Sequence, residues 1–354
     1  MAIDPDFWAG RRVLITGHTG FKGAWLSLWL QALGAELTGV ASGPPTSPSL
    51  YELAAVGAGM CEHALDVRDA VAVREALRGA RPEVVLHLAG QPIVARSLED
   101  PLMTYDVNVM GTANVLDAVR VAGEGVRAVV VVTSDKCYEN PAGPPRRFVE
   151  GDPLGGGDPY SSSKACAELL AAAYRRAFFA AEDSPRVATA RAGNVIGGGD
   201  WGRERLIPDI VRAVRAGVPV RVRNPDAVRP WQHVLNPLSG YLLLVEHLWR
   251  SPSAARAWNF GPAPQDARAV SWIVQRLAVL WDGALSWEPD TGSYPLEASH
   301  LALDSNAAQR DLAWRPAWDL EQALERLVEW HRAQQGGGDM REMSLAQIEC
   351  YAAA

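Results

Sequence analysis

The chain has 354 residues, of which 48% are hydrophobic and 21% are charged, and its formal net charge is −7. This composition is that of a globular protein with ample material for a core, and the length suits two or three domain-sized units. The acidic balance argues against binding to nucleic acid or to an anionic membrane surface, and no apolar run approaches the roughly 20 residues that span a bilayer.

The first half of the chain alternates between strand and helix patterns. The predicted strands cover residues 12–16, 37–41, 84–89 and 128–133; the predicted helices run from Lys22 to about Gly34 and over 70–79, 104–122 and 160–181. The last two strands are almost entirely apolar, which is typical of a parallel sheet covered on both faces. The sequence therefore predicts an α/β fold with a Rossmann-type, doubly wound parallel sheet.

The second half is richer in proline, tryptophan and arginine, which favours a smaller, mixed α/β substrate-binding domain. We predict a dinucleotide-binding domain of residues 1–191 with a return segment at 233–260, and a second domain made of 192–232 and 261–354. A ligand cleft is expected between them, at the carboxyl ends of the strands. The glycines at 336–338 indicate a hinge before a loosely attached tail.

The cysteines and the N-terminus favour a reduced, cytoplasmic compartment. The four cysteines lack the CxxC or Cys/His spacing of a metal site or disulfide framework; they are Cys61, Cys137, Cys166 and Cys350. Two acids, Asp4 and Asp6, stand where a signal peptide would be basic. We therefore expect no metal.

A glycine-rich turn lies between the first strand and the first helix, with glycines at Gly17, Gly20 and Gly23. Glycine is needed at such a turn because the backbone must approach a pyrophosphate at the helix N-terminus. The spacing is GxxGxxG instead of GxGxxG, and an ordinary strand-to-helix turn is the alternative. In its strand-turn-helix context the motif predicts dinucleotide binding, with Phe21 and Lys22 inside the turn.

The identity of the dinucleotide depends on charges near the second strand. The usual ribose-binding acid is absent from the segment 40–43, and no cation occurs between Lys22 and Arg68 for a 2′-phosphate. We expect NAD, with NADP not excluded because Lys22 itself could reach such a phosphate. Asp66 is placed to accept from the adenine amino group, whereas Asp69 is equally well explained as a helix N-cap.

Tyr160 and Lys164 form a second pair, four residues apart, which places phenol and ammonium on one helix face. A cation there would favour the phenolate and bring the tyrosine toward a useful general-base pKa. Ser134, at the end of the preceding strand, would donate a hydrogen bond to the substrate oxygen that Tyr160 deprotonates. A YxxxK pair also arises by chance in many helices, so its weight comes from the glycine turn and this serine.

Together with Leu88-Ala89-Gly90 and Asn108-Val-Met-Gly111-Thr112, these residues resemble the extended short-chain dehydrogenase/reductase superfamily. Four strings resemble its nucleotide-sugar 4,6-dehydratases, and most closely those acting on CDP-glucose: TGHTGFKG from Thr16, TSDKCY from Thr133, ARAGNVIGGGDW from Ala190 and RPWQHV from Arg229. The likeness covers nearly the whole chain.

The resemblance implies further roles for individual residues. It implies cofactor contacts at Val67, Leu88, Ala89 and Asn108, and substrate contacts at Gln91, Asn194 and Arg229. Arg223 and Arg205 are weaker candidates for substrate contact, and each could equally be solvated surface. It also implies deoxysugar biosynthesis, as for lipopolysaccharide O-antigen, and a homodimer or dimer of dimers through the helices at 104–122 and 160–181. From the sequence alone, those helix faces could equally be core.

The pair Asp135-Lys136 indicates the reaction class. A dehydratase must remove the C5 proton and protonate the departing C6 hydroxyl, whereas epimerases need only the Ser, Tyr and Lys group. In the dehydratases of dTDP-glucose the pair is Asp-Glu, so lysine is a departure. Lys136 can act as the base only if burial and nearby Lys164 depress its pKa. Alternatively, it binds a phosphate or pairs with Asp135.

Three functions remain open at this point: a lyase that uses NAD catalytically, an epimerase or oxidoreductase of the same fold, and a nicotinamide-binding protein without turnover. Intact Ser134, Tyr160 and Lys164 argue against the third, and Asp135-Lys136 argues against the second. The nucleotide base of the substrate follows from the resemblance alone.

Overall fold

The structure is a computed structural model that describes residues 3–140, 144, 146–290, 292 and 300–354. Parts of the predicted domain ranges 1–191 and 261–354 therefore lie outside the described residues. Among the helices in these ranges, none has the length and apolar character needed to cross a membrane.

A seven-stranded parallel sheet forms the centre of the protein. In chain order its strands are β1 (Arg12–Thr16), β2 (Glu36–Ala41), β3 (Cys61–Ala64), β4 (Val84–His87), β5 (Ala128–Val132), β6 (Arg186–Arg191) and β11 (Ala257–Asn259). Their order across the sheet is β11-β6-β5-β4-β1-β2-β3, and every neighbouring pair is parallel. From β1 the chain adds strands first on one side, β2 and β3, and then on the other, beginning with β4. This switch point between β1 and β4 leaves a crevice at the carboxyl ends of these two strands.

Short strand pairs follow the main run of the sheet. They are β7 (Val195–Ile196) with β10 (Gln232–His233), β8 (Val220–Val222) with β13 (Trp287–Pro289), and β9 (Val228–Pro230) with β12 (Ala267–Ala269). Only the last pair is antiparallel among the described strands.

Helices cover both faces of the sheet. They are α1 (Pro5–Trp8), α2 (Phe21–Ala32), α3 (Leu50–Leu53), α4 (Ala70–Ala80), α5 (Val94–Glu99), α6 (Pro101–Tyr105), α7 (Gly111–Ala122), α8 (Pro159–Ala177), α9 (Leu206–Ala216), α10 (Leu235–Arg250), α11 (Val270–Leu280), α12 (Asn306–Asp311), α13 (Leu320–Gln335) and α14 (Met340–Ala352). Because both faces are covered, β4 and β5 are buried at every residue and read as continuous apolar runs. The predicted fold class agrees with this architecture.

The predicted helix at 104–122 differs in one respect. It is continuous from α6 into α7, but residues Asp106–Met110 between them form a π-helical turn. Such turns widen a helix locally and are frequent at functional sites. Here the turn places Asn108 inward, where its side chain is 1% exposed.

The expectation of a loosely attached C-terminal tail is wrong. After the glycines at 336–338, α14 packs against α2, α3 and α13. Tyr351 is buried between the rings of Trp29 and Trp318 at centroid distances of 5.5 and 5.1 Å. The apolar residues of α14 cover tryptophans that would otherwise face water, so the helix is part of the core.

Candidate active site

The glycine turn is closed so tightly that side chains do not fit at two of its glycines. Gly17 has φ of +76°, and a Cβ there would lie 2.7 Å from the backbone N of Ala89. A Cβ on Gly23 would overlap the carbonyl oxygen of Gly17. Gly20 is the N-cap of α2 and offers no side-chain acceptor, so the first N–H groups of α2 lack a side-chain cap. These N–H groups fit an anion such as a pyrophosphate.

The residues expected around the adenosine lie beside this turn. Asp66 and Val67 follow β3, and Leu88 and Ala89 follow β4, so both pairs stand at the carboxyl edge of the sheet. Asp66 is engaged by Arg68, whose guanidinium donates two hydrogen bonds to Oδ2 and holds the pKa of the carboxyl below its usual range. Asp69 caps α4, as the alternative for that residue predicted. The carboxyl edge and the open helix N-terminus together fit a dinucleotide.

Lys22 does not face the adenosine end of the crevice. Its Nζ lies 3.5 Å from the hydroxyl of Tyr241, and it interacts electrostatically with Asp135, Lys164 and Arg205. The expectation that it could reach a 2′-phosphate is therefore wrong, because the first turn of α2 directs it toward the catalytic side. Burial lowers the pKa of Lys22 to about 8.

Tyr160 and Lys164 lie on the buried face of α8. The helix begins after Asp158, whose carboxylate accepts the N–H of Ser161 at 2.9 Å, with Pro159 in the first helical position. Lys164 Nζ lies 3.5 Å from the carbonyl oxygen of Val132, at the carboxyl end of β5. The N-cap and the proline thus fix where α8 starts, and through it the height of the phenol above the sheet.

Burial sets the proton affinities of this pair. It raises the pKa of Tyr160 to about 12, although a hydrogen bond with Ser134 acts in the opposite direction, and it lowers the pKa of Lys164 to about 8. Loss of water around the phenolate outweighs the effects of Ser134 and of the neighbouring cation Arg205. The expected action of Lys164 on the phenol stays a prediction.

Asp135 is a buried carboxyl at the centre of the site, and its side chain is 2% exposed. Ser134 Oγ donates to its Oδ1 at 3.1 Å, while its Oδ2 has no hydrogen-bond partner among the described residues. Burial raises its pKa, although the nearby cations Lys136, Lys22 and Arg229 act to lower it. Asp135 is therefore a carboxyl with one buried oxygen that is unpaired within the described part of the chain, and burial favours its protonated form.

Lys136 is only partly buried, so the burial that its role as a base requires is incomplete in the structure. It belongs to the short 3₁₀ turn Asp135–Cys137, which projects the lysine away from the sheet while it turns Asp135 inward. The sequence contains three lysines, Lys22, Lys136 and Lys164, and all three belong to this site. The other basic residues of the Lys and Arg set are all arginines.

The side-chain amide of Gln91 is engaged by its own loop. Its Nε2 donates to the Ile93 carbonyl and to Thr104 Oγ1, both at 3.0 Å, and its Oε1 accepts the N–H of Ile93. A substrate contact through this side chain stays a prediction, and it would compete with these hydrogen bonds. Asn108 accepts the N–H of Gln91 at 2.8 Å and donates to Ser163 Oγ at 2.9 Å, which ties this loop to α8.

The structure brings two of the other predicted substrate residues to Asp135. Gly193, the residue before Asn194, lies against this carboxyl, because a Cβ on it would stand 2.6 Å from Asp135 Oδ2. Arg229 on β9 is 8% exposed and acts electrostatically on Asp135. Arg223 instead lines a separate cavity of about 470 Å³ together with Glu204 and Asp290.

Sequence reasoning undervalued two residues that the fold brings to the site. Arg205 acts electrostatically on Tyr160 and on Lys22, and its Nη1 lies 3.0 Å from Oδ2 of Asp200, which holds it in place. Tyr241 reaches Lys22 from α10. Nothing in the local sequence of either residue marks it, because only the tertiary fold joins residues 160, 205 and 241. Within the described ranges, no group of three or more His, Cys, Asp or Glu is placed to hold a metal ion.

This crevice, glycine turn and Ser-Tyr-Lys group define a nicotinamide-dependent enzyme site. Residues 13–261 match the NAD dependent epimerase/dehydratase family, and the chain belongs to that family. CDP-glucose 4,6-dehydratase from Salmonella typhimurium is 46% identical to it over 361 aligned positions that cover 99% of both chains. The expected resemblance to nucleotide-sugar 4,6-dehydratases is confirmed.

Solved structures confirm the fold class. The dTDP-glucose 4,6-dehydratase DesIV from Streptomyces venezuelae, solved with NAD and TYD bound, is 26% identical with a TM-score of 0.77, covering 93% of this chain and 99% of that one. The UDP-glucose 4-epimerase of Thermus thermophilus, in complex with NAD, is 24% identical with a TM-score of 0.79, covering 91% and 99%. The second likeness concerns the fold alone.

Proposed function

We propose that the protein is a hydro-lyase that converts CDP-glucose to CDP-4-keto-6-deoxyglucose and water, using NAD without net consumption. The observation that carries this proposal is Asp135, a buried carboxyl with an open oxygen and a raised pKa, beside the Ser-Tyr-Lys group. An epimerase needs no acid there. The 46% identity to a CDP-glucose 4,6-dehydratase over 99% of both chains supports the same reaction and the same base.

The first step is oxidation at C4 of the hexose. When bound, NAD supplies the acceptor for the C4 hydride and later the donor that returns it to C6. Tyr160 takes the proton of the C4 hydroxyl, and Ser134, which hydrogen-bonds to that phenol, holds the hydroxyl oxygen. Lys164, one helix turn from Tyr160, supplies a positive charge that favours the phenolate.

The second step removes water across C5 and C6. The 4-keto group acidifies the C5 proton, which Lys136 takes in its neutral form, while Asp135 gives its proton to the C6 hydroxyl, which leaves as water. Return of hydride to C6 with a proton from Lys136 to C5 restores the neutral lysine. Asp135 regains its proton from Tyr160, which holds the one taken from the C4 hydroxyl. Burial raises the pKa of Asp135, which favours the protonated form that this step requires.

Substrate binding is assigned to residues around Asp135 and Tyr160, on which Arg229 and Arg205 respectively act electrostatically. Arg229 and Arg205 are the proposed diphosphate ligands, since a guanidinium pairs well with two phosphate oxygens. Asn194 stands next to them. Arg223, in the separate cavity, remains a candidate for the outer part of the nucleotide only.

The experiment is to incubate the purified protein with CDP-glucose, dTDP-glucose, UDP-glucose and GDP-mannose and to assay the 4-keto sugar. We expect product from CDP-glucose, with no lasting absorbance of reduced cofactor. CDP-glucose deuterated at C4 should give product deuterated at C6. An epimerised sugar that keeps its C6 hydroxyl would refute the lyase, and preference for another nucleotide would refute the base.

Three coarser expectations accompany this proposal. We propose the domain division 1–191 with 233–260 against 192–232 with 261–354, a homodimer or dimer of dimers, and a cytoplasmic role in deoxysugar supply such as lipopolysaccharide O-antigen biosynthesis. Support for the dimer comes from exposed apolar side chains on α6 and α8: Leu102 is 80% exposed and Leu169 is 59% exposed.

A further inference from the structure

A buried ion pair that the reaction does not use lies next to the catalytic side chains. Arg191 at the end of β6 and Glu168 on α8 approach to 2.7 Å, and each side chain is 3% exposed. Burying two charges is expensive, and replacing such a pair by well-packed apolar residues is often neutral or stabilising. Stability alone therefore does not explain the pair, and its hydrogen bonds indicate what it does.

Glu168 joins α8 to the ends of two strands. It lies one helix turn after Lys164 and two turns after Tyr160, on the same buried face. Its Oε1 accepts from Thr133 Oγ1 at 2.5 Å, and its Oε2 accepts from Thr189 Oγ1 at 2.7 Å. Thr133 immediately precedes Ser134. The carboxylate thus fixes the helix that carries Tyr160 and Lys164 against the strand end that carries Ser134.

Arg191 joins the same carboxylate to the residue after the Asp135–Cys137 turn. Its Nη1 donates to the hydroxyl of Tyr138 at 2.7 Å, and that hydroxyl donates to Asn259 Oδ1 on β11, also at 2.7 Å. The ring of Tyr138 stacks on Phe148 with centroids 5.0 Å apart. The turn that carries Asp135 and Lys136 is therefore held at its exit by Arg191.

We propose that Glu168, Arg191 and Tyr138 form a positioning network, which holds the groups of the oxidation step and those of the elimination step in one fixed arrangement. The network touches neither sugar nor cofactor. It acts through Ser134 and Lys164 on one side and through the Asp135-Lys136 turn on the other. This inference rests on the proposed dehydratase reaction, since only that reaction needs both sets of groups at one hexose.

Tyr138→Phe tests the arm that leads to the elimination groups. It removes the hydroxyl that joins Arg191 to Asn259 but keeps the ring on Phe148, so the fold should survive. We expect kcat on CDP-glucose to fall about 10- to 100-fold, since misplacement by about 1 Å costs that much, with KM little changed. Reduced cofactor should accumulate during turnover, because oxidation is spared and elimination is slowed.

Glu168→Gln tests the arm that leads to Lys164. The charged and titratable groups facing Lys164 are Lys22 from α2, His87 from β4, Cys137 from the turn, and Glu168 itself. Glu168 favours the ammonium form, so its loss should move the titration of Lys164 to lower pH. With three lysines in the chain, NMR of lysine-labelled protein resolves this shift without cofactor. The alkaline limb of the pH profile should move in the same direction.

Glu246→Gln is the matched control, because Glu246 is a buried carboxylate that accepts from Trp8 Nε1 and from the N–H of Asp4, both at 3.0 Å, and not from a residue of the network. It should lower the thermal unfolding temperature but leave kcat and the lysine titrations unchanged. The proposal is overturned if Tyr138→Phe and Glu168→Gln keep wild-type kinetics and titrations, or lose activity only in proportion to lost stability. Wild-type protein that forms no 4-keto sugar would instead refute the proposed function.

Discussion

Ser134 donates a hydrogen bond of 3.1 Å to Oδ1 of Asp135, so these adjacent residues form one polar unit at the end of β5. The same hydroxyl accepts the N–H of Lys136 at 3.2 Å and hydrogen-bonds to Tyr160. In the proposed reaction, Tyr160 acts in the oxidation and Asp135 in the elimination. Ser134 therefore connects the proton-transfer groups of two successive steps, and the steps can be separated by substitution.

Asp135→Asn keeps the shape of the side chain but removes the proton for the C6 hydroxyl. We expect oxidation at C4 to continue and elimination to slow by about 10²- to 10⁴-fold, the usual contribution of one proton-transfer catalyst. Mass spectrometry should find a 4-keto hexose that retains its C6 oxygen. Asp266→Asn, at another carboxyl whose pKa burial raises, is the control and should leave turnover unchanged. Wild-type turnover in Asp135→Asn would remove the acid role.

Much of the fold is predictable because hydrophobic burial marks it in the sequence. β1 was predicted to the residue, and β4 and β5 follow from their apolar runs. β3 was missed because Cys61–Ala64 is short, polar and exposed at the sheet edge, so no burial pattern marks it. α14 was misjudged because the glycines before it resemble a linker, while one of its packing partners, α2, lies about 310 residues earlier in the chain.

Site residues could be predicted where the chemistry requires a fixed spacing in the sequence. They could not be predicted where residues distant in sequence are brought together only by the tertiary fold. The Tyr160–Lys164 pair has a helical spacing, and Asp135-Lys136 follows a strong strand. The hydrogen bonds of Gln91 within its loop could not be predicted, because its partner Thr104 lies on a separate helix. Glu168 had a usable signal, since it continues the four-residue spacing of Tyr160 and Lys164. No signal in the local sequence predicts that the side chain of Lys22 points toward Asp135 and Tyr241.

Tyr351 tests whether α14 is part of the core. It is 4% exposed, and its hydroxyl lies 3.1 Å from Ser239 Oγ. Tyr351→Ala should lower the free energy of unfolding by about 3–5 kcal/mol, as for other large aromatic deletions, and Tyr351→Phe by only about 1 kcal/mol. Denaturant unfolding measures both. Cys350→Ser, at the exposed neighbouring position, is the control and should leave the midpoint unchanged. An unchanged midpoint in Tyr351→Ala would instead support a loosely attached C-terminal tail.

Lys22 and Lys164 should titrate near pH 8 in the protein without ligands, because burial lowers the pKa of both. In the unfolded chain they keep their protons up to about pH 10.4. Between these values the unfolded state binds more protons, so each lysine makes stability rise as pH increases from about 8. Lysine NMR gives the titrations directly. In Lys22→Met, part of this rise should disappear, and a wild-type dependence on pH would contradict the burial of Lys22.

The proposed dimer face can be broken by a single charge. Leu102 on α6 is 80% exposed, so Leu102→Glu costs the isolated subunit little but places a carboxylate in an apolar interface. Light scattering should give Leu102→Glu half the mass of the wild type. Val279→Glu, at a 65% exposed position on α11, should leave the mass unchanged. A wild-type monomer at working concentration would refute the dimer.

Lys136→Met distinguishes the two roles left open for this lysine. Methionine keeps the length of the side chain but cannot accept the C5 proton, so oxidation should proceed and elimination should slow by about 10²- to 10⁴-fold. The absorbance of reduced cofactor should rise and persist, and the sugar should be a 4-keto hexose that keeps its C6 hydroxyl. Tyr160→Phe should behave oppositely and show no reduced cofactor, because its block precedes oxidation. If Lys136→Met turns over at the wild-type rate with a higher KM, then the lysine binds phosphate. The C5 base would in that case be another group around Asp135. Lys22 is the candidate, because it acts on Asp135 and burial lowers its pKa to about 8.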